Sequence, residues 1–121
     1  EKGLDVDSLT MKDGSGLSRG DTLSAKLLTD ILAYMAERKE LKFEELLPIA
    51  GQDGTVAKFL KETPLSGNAR IKSGSMSGIQ SYAGYLEKDG KRYAFAIIVN
   101  HWNGDRTDLR NEMEKLLNGL F

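Results

Sequence analysis

Lys72-Ser73-Gly74 is the run whose residue types and order suit chemistry. It sets a cation, a hydroxyl and a residue without a side chain next to one another. Ala69 to Ser73 is expected to form a short strand, with Gly74-Ser75 opening a turn after it. A strand edge can take up an extended peptide by strand addition. Lysine supplies a positive field, and the serine hydroxyl can donate to a carboxylate in a charge-assisted bond, the stronger kind. Glycine lets a ligand come close to the backbone. The bland reading of the same tripeptide is a strand that stops at a turn, so its surroundings must decide.

Other candidates carry less. A triad through His101 would need a nucleophile elbow, and neither Gly14-Ser15-Gly16 nor Gly74-Ser75-Met76 fits one. His101 reads as a loop or surface residue. Glu44 and Glu45 would point about 100° apart on a helix, a poor acid–base pair. Tyr82 and Tyr85 read as packing aromatics. With one His, no Cys and no metal-loop spacing, no metal or cofactor is expected. A net charge of −1, with 29% charged residues, gives no reason to expect nucleic acid as a partner. The apolar share of 40% suffices for a core, and no apolar run has transmembrane length. The length suits one domain or part of one, so residues 1–121 are taken as a single unit.

The elements that must hold the tripeptide follow from periodicity. Leu4, Val6, Leu9 and Met11 alternate weakly, as in an extended entry, and Asp13-Gly14-Ser15-Gly16 is a turn. Leu23, Leu27, Leu28, Ile31, Leu32 and Met35 form one helical stripe, capped by Asp21 or Thr22 and ending near Arg38-Lys39. Phe43 to Leu47 is a short helix stopped before Pro48. Thr55 to Glu62 is expected to be helical, with Val56, Phe59 and Leu60 as its apolar face. Ile79 to Leu86 and Tyr93 to Val99 are strands, and Asp89-Gly90 between them is a hairpin signal. The unbroken apolar run Tyr93 to Val99 predicts a strand covered on both faces. Asp105 or Thr107 opens a last helix, with Leu109, Met113, Leu116, Leu117 and Leu120 on one stripe. The class is α+β, an antiparallel sheet flanked by helices.

Lys-[Ser/Thr]-Gly on a strand, followed by a hairpin and a final helix, resembles the third signature of penicillin-binding serine enzymes. Two further landmarks precede it in order: Asp13-Gly14-Ser15-Gly16-Leu17-Ser18-Arg19 and Leu47-Pro48-Ile49-Ala50-Gly51-Gln52-Asp53-Gly54-Thr55. Together with Lys72-Ser73-Gly74-Ser75-Met76-Ser77-Gly78 they make the chain similar to the D-Ala-D-Ala carboxypeptidase/endopeptidase family of class C type, low-molecular-mass penicillin-binding proteins. Lys-Thr-Gly is the commoner form there, and Ser73 keeps the hydroxyl.

The resemblance implies the C-terminal portion of the transpeptidase-like fold shared by penicillin-binding proteins and serine β-lactamases. It implies a serine D,D-peptidase of the periplasmic or extracytoplasmic cell envelope. Its partners would be peptidoglycan stem peptides ending in D-Ala-D-Ala, and β-lactams. Lys72, Ser73 and Gly74 would face the substrate carboxylate, and the Ser75 N–H would point at the developing oxyanion. Leu17, Arg19, Met76 and Ser77 would lie near the pocket for the peptidoglycan side chain; surface charge for Arg19, and packing for Leu17 and Met76, are the alternatives. The family's nucleophile lies in Ser-x-x-Lys, and no Ser here has Lys three residues later. Ser66-Gly67-Asn68 matches Ser-x-Asn in form but lies too close to Lys72 and reads as a turn. The nucleophile, its lysine and the second motif are therefore expected outside these residues, and the isolated chain is expected to be inactive. A serine β-lactamase fragment, or a non-catalytic peptidoglycan-binding module, are the alternatives. In the family the strand matching Tyr93 to Val99 is interior. Here it is expected to find a substitute neighbour: a second copy, a swapped segment, or residues 1–12.

Overall fold

The structure is a computed structural model that describes Asp7, Leu9 and residues 24–76 and 78–121. The expected strand at 4–11, apart from Asp7 and Leu9, and the turn at 13–16 lie outside the described residues, as do Asp21, Thr22 and Leu23.

The first helix, α1, runs Ala25–Glu37. Its cap is Ser24, whose hydroxyl accepts from the Leu27 N–H at 3.0 Å, in place of the expected Asp21 or Thr22. Leu27 and Leu32 are its buried residues. Single 3₁₀ turns at Lys39–Leu41 and Phe43–Leu46 follow, joined by Lys42 in the left-handed region. The strands β1 (Ala69–Met76), β2 (Ile79–Lys88) and β3 (Lys91–Val99) form an antiparallel sheet in that order. Asp89 and Gly90, at φ 55° and 76°, close the β2–β3 hairpin between the paired Lys88 and Lys91. The last helix, α2, is Arg106–Leu120.

Pleating sorts the sheet into two faces. Ala69, Ile71, Tyr82, Leu86 and Phe95 meet Met113 and Leu117 of α2 in the core, with Val56, Phe59, Leu60 and Leu65 from the connection before β1. Phe59 stacks on Tyr82 with ring centroids 3.8 Å apart. On the other face α1 covers β2 and β3, and the Tyr85 hydroxyl donates to the Leu32 carbonyl at 2.5 Å. Burial raises the Tyr85 phenol above its ordinary pKa, so this donor keeps its proton.

Four expectations are corrected. Residues 55–62 do not form an α-helix: only Gly54–Val56 is 3₁₀, and Leu60 and Glu62 have φ of 58° and 64°. The Leu60 N–H donates instead to Glu114 Oε1 of α2 at 2.9 Å, a distant partner that local periodicity does not reveal. The strand at Ala69 continues past Ser73 to Met76, so Gly74-Ser75 is not a turn. On α2, Leu116 and Leu120 are 52% and 67% exposed, because only the residues at four-residue spacing, Leu109, Met113 and Leu117, look inward. Finally, Tyr93–Val99 is only partly covered: Phe95 is its single buried residue and Tyr93 is exposed. Among the described residues β3 has one sheet neighbour, β2.

Asp105 caps α2 by accepting from the Thr107 and Asp108 N–H groups at 2.6 and 3.3 Å. Asp105→Ala is expected to lower stability by about 1 kcal/mol, read from the denaturation midpoint at unchanged m-value.

Candidate active-site edge

Among the described residues, the outer edge of β1 is paired along Ala69–Ile71 and open from Ser73 on. Ile49 bridges to Arg70; the Ala50 N–H donates to the Ala69 carbonyl, and the Ile71 N–H to the Pro48 carbonyl, both at 2.9 Å. The landmark at residues 47–55 thus serves as a short extra strand along Ala69–Ile71. It peels away because Gly51, at φ 80°, turns the chain where an added Cβ would overlap the Ser66 hydroxyl. Backbone groups of successive strand residues point alternately to the two edges. Those of Ala69 and Ile71 point outward, so those of Ser73 and Ser75 do too, beyond the point where residues 48–50 stop.

The side chains beside this open edge come from both faces. Lys72 is exposed and lines the face toward α1, where a cleft of about 320 Å³ is bounded by Leu28, Leu32, Phe43, Leu47, Gly74, Ser81 and Ala83. Its ammonium donates to the Ser73 carbonyl at 2.7 Å and makes no salt bridge among the described residues. Ser73 lies on the opposite face, and its hydroxyl is 2.6 Å from that of Thr55. An anionic peptide end laid along Ser73–Ser75 would meet the Lys72 cation on one side and a hydroxyl on the other, with outward N–H donors between them.

A side chain at Gly74 would displace the Ser81 hydroxyl. An added Cβ would sit 2.7 Å from Ser81 Oγ, and that hydroxyl donates to the Gly74 carbonyl at 3.3 Å. The same carbonyl accepts from Gln80 Nε2 at 3.1 Å. Gln80 is a buried polar side chain, and Arg106 holds its other end at 2.9 Å while donating to the Met76 carbonyl at 2.9 Å. The guanidinium lies 5.5 Å from the Trp102 ring centre. This Arg106–Gln80 support was not anticipated. Its signal was available: a glutamine at a position whose strand neighbours on the same face are apolar.

Met76 ends β1, half-buried, and the Arg106 contact fixes its backbone. Leu17, Arg19 and Ser77 lie outside the described residues. His101 is exposed, at φ 55°, in the loop before α2. Glu44 pairs with Arg92, and Tyr82 is a core aromatic whose phenol burial pushes up. Ser66-Gly67-Asn68 forms a turn tied to the 48–50 segment by Gly67 N–H to Ala50 carbonyl, 3.1 Å. A second hollow, lined by Glu44, Arg70, Tyr85 and Arg92, holds charges already engaged: Arg92 with Glu44, and Arg70 with the Leu47 carbonyl at 3.3 Å.

A family model described as the D-Ala-D-Ala carboxypeptidase 3 (S13) family matches residues 1–120. The chain is 32% identical over 108 residues to a D-alanyl-D-alanine carboxypeptidase of Actinomadura sp. (strain R39), covering 84% of this chain and 20% of that protein. It is 33% identical over 107 residues to D-alanyl-D-alanine carboxypeptidase DacB of Haemophilus influenzae, covering 85% and 22%. The chain therefore spans about a fifth of the length of these relatives. The crystal structure of penicillin binding protein 4 (dacB) from Haemophilus influenzae, complexed with a novel β-lactam, superposes with a TM-score of 0.90 at 32% identity, over 99% of this chain and 30% of that one.

Proposed function

Since the chain belongs to the D-Ala-D-Ala carboxypeptidase 3 (S13) family, we propose that it forms the substrate-binding edge of a serine D,D-carboxypeptidase/endopeptidase acting on peptidoglycan stem peptides. The observation that carries this reading is the open edge of β1 at Ser73 and Ser75, flanked by Lys72 and the Ser73 hydroxyl. A stem peptide adds along this edge, antiparallel or parallel, as a further strand. Its terminal carboxylate takes the Ser73 hydroxyl and the field of Lys72. The scissile carbonyl is then directed at the Ser75 N–H, one donor of an oxyanion hole; removing such a donor typically costs about 3 kcal/mol of transition-state stabilisation. Gly74 keeps the strand flat between these two contacts. Leu17, Arg19, Met76 and Ser77 contribute to the pocket for the stem side chain. A serine supplied by residues outside these 121 attacks, D-Ala leaves, and water releases the acyl-enzyme.

β-Lactams carry a carboxylate beside a reactive amide and enter by the same contacts. The structure of the Haemophilus influenzae relative with a β-lactam supports this part of the reading. The cell envelope is the setting in which such a substrate is met. The outer edge of β3 is filled in the assembled protein by another strand, from a second copy or from residues outside those described, since a bare apolar edge invites pairing.

The test is covalent labelling. The full-length protein incubated with benzylpenicillin gains one penicilloyl group by intact mass and holds it, while the isolated 121-residue chain gains none. Rapid loss of the adduct with penicilloate release would mark a β-lactamase instead, and no adduct in the full-length protein would mark a binding module. Labelling of the isolated chain would overturn the assignment of the nucleophile to residues outside it.

A further inference from the structure

We propose that Thr55 is a positioning residue that orients and polarises the Ser73 hydroxyl toward a ligand carboxylate; the inference rests on the carboxylate-binding reading of Ser73. The two hydroxyl oxygens are 2.6 Å apart, a short bond between residues eighteen positions apart, and either can be the donor. Once a carboxylate occupies the edge, the choice is forced. A carboxylate only accepts, so Ser73 must spend its single proton on it. The Thr55 hydroxyl then gives its own proton to the Ser73 oxygen. The result is a directed relay, Thr55 O–H to Ser73 O–H to carboxylate, in which each bond strengthens the next.

The loop around Thr55 is built to keep that hydroxyl in place. The Ile49 N–H donates to Asp53 Oδ2 at 3.2 Å, and the Asp53 N–H returns to the Ile49 carbonyl at 2.9 Å. The Gly51 N–H donates to the Val56 carbonyl at 3.0 Å. The neighbouring Val56 is fully buried and anchors the turn in the core, while Thr55 itself stays exposed at the edge. The same loop supplies the short strand that stops where the open edge begins.

The experiment compares acylation of the full-length protein by benzylpenicillin and by its methyl ester, which lacks the carboxylate charge. Thr55→Val keeps the shape and removes the hydroxyl; Thr55→Ser keeps the hydroxyl. Thr55→Val is expected to slow acylation by the acid about five- to tenfold, with little change for the ester, and Thr55→Ser to restore the acid rate. An unchanged denaturation midpoint accompanies this result. An equal loss on acid and ester, no loss on either, or no rescue by serine overturns the proposal. Thr55→Ala serves as a second hydroxyl-free variant should valine fail to fold. Ser73→Ala separates the two levels: if it leaves the acid-to-ester ratio unchanged, the carboxylate reading of Ser73 itself fails, whereas a changed ratio with an inert Thr55→Val removes the relay alone.

Discussion

Lys72→Ala in the full-length protein is expected to lower kcat/KM for acylation by benzylpenicillin by about two to three orders of magnitude. The expectation follows from where the ammonium sits. It is exposed at an open strand edge, it donates to the neutral Ser73 carbonyl, and no carboxylate among the described residues offsets it. A cation so placed acts on an incoming anion with little competition. The same exposure means that removing it takes away little packing, so the denaturation midpoint should hardly move. Lys72→Arg should recover only part of the rate, because a planar fork does not reproduce a compact ammonium at the same point. Unchanged acylation kinetics in a folded Lys72→Ala protein would remove Lys72 from the site.

The second large effect concerns the frame of that edge. Gly84 is the β2 residue paired with Ile71 on one side and Phe95 on the other. An added Cβ would overlap the Arg70 carbonyl oxygen and lie 2.9 Å from Ile71 Cα. Both are backbone atoms of β1, so no side-chain rotation can give way. Gly84→Ala must push β1 away from β2 or twist the sheet locally. A loss of about 3 kcal/mol or more is expected, at the upper end for overpacking, with the protein lost from the soluble fraction if its margin is small. Gly119→Ala provides the contrast. It lies in the last turn of α2, where an added Cβ meets nothing within 4 Å, so Gly119→Ala should leave stability unchanged or raise it by at most about 0.5 kcal/mol. A denaturation midpoint of Gly84→Ala that is unchanged or raised would contradict the packing described for the sheet.

Residue types and spacing determined the candidate tripeptide, the order of the last three strands and the final helix, and the hairpin at Asp89-Gly90. These are local properties. A strand alternates by its own geometry, positive φ falls where aspartate and glycine tolerate it, and an aspartate caps whichever helix follows it. The resemblance carried by three ordered landmarks gave the family. Tertiary structure alone decided the rest. The residues 55–62 look helical by periodicity, yet Leu60 gives its N–H to Glu114, fifty-four positions away, and the chain turns through left-handed residues instead. The apolar run in β3 predicted two covered faces, but how much cover a strand receives depends on which elements pack beside it. The side chain that an added Cβ at Gly74 would meet is Ser81, across the strand pair. The Thr55–Ser73 contact and the Arg106–Gln80 support join residues eighteen and twenty-six positions apart. No window of sequence contains both ends of such a contact, because the distance between them is set only when the sheet, the loop and the helix close on one core.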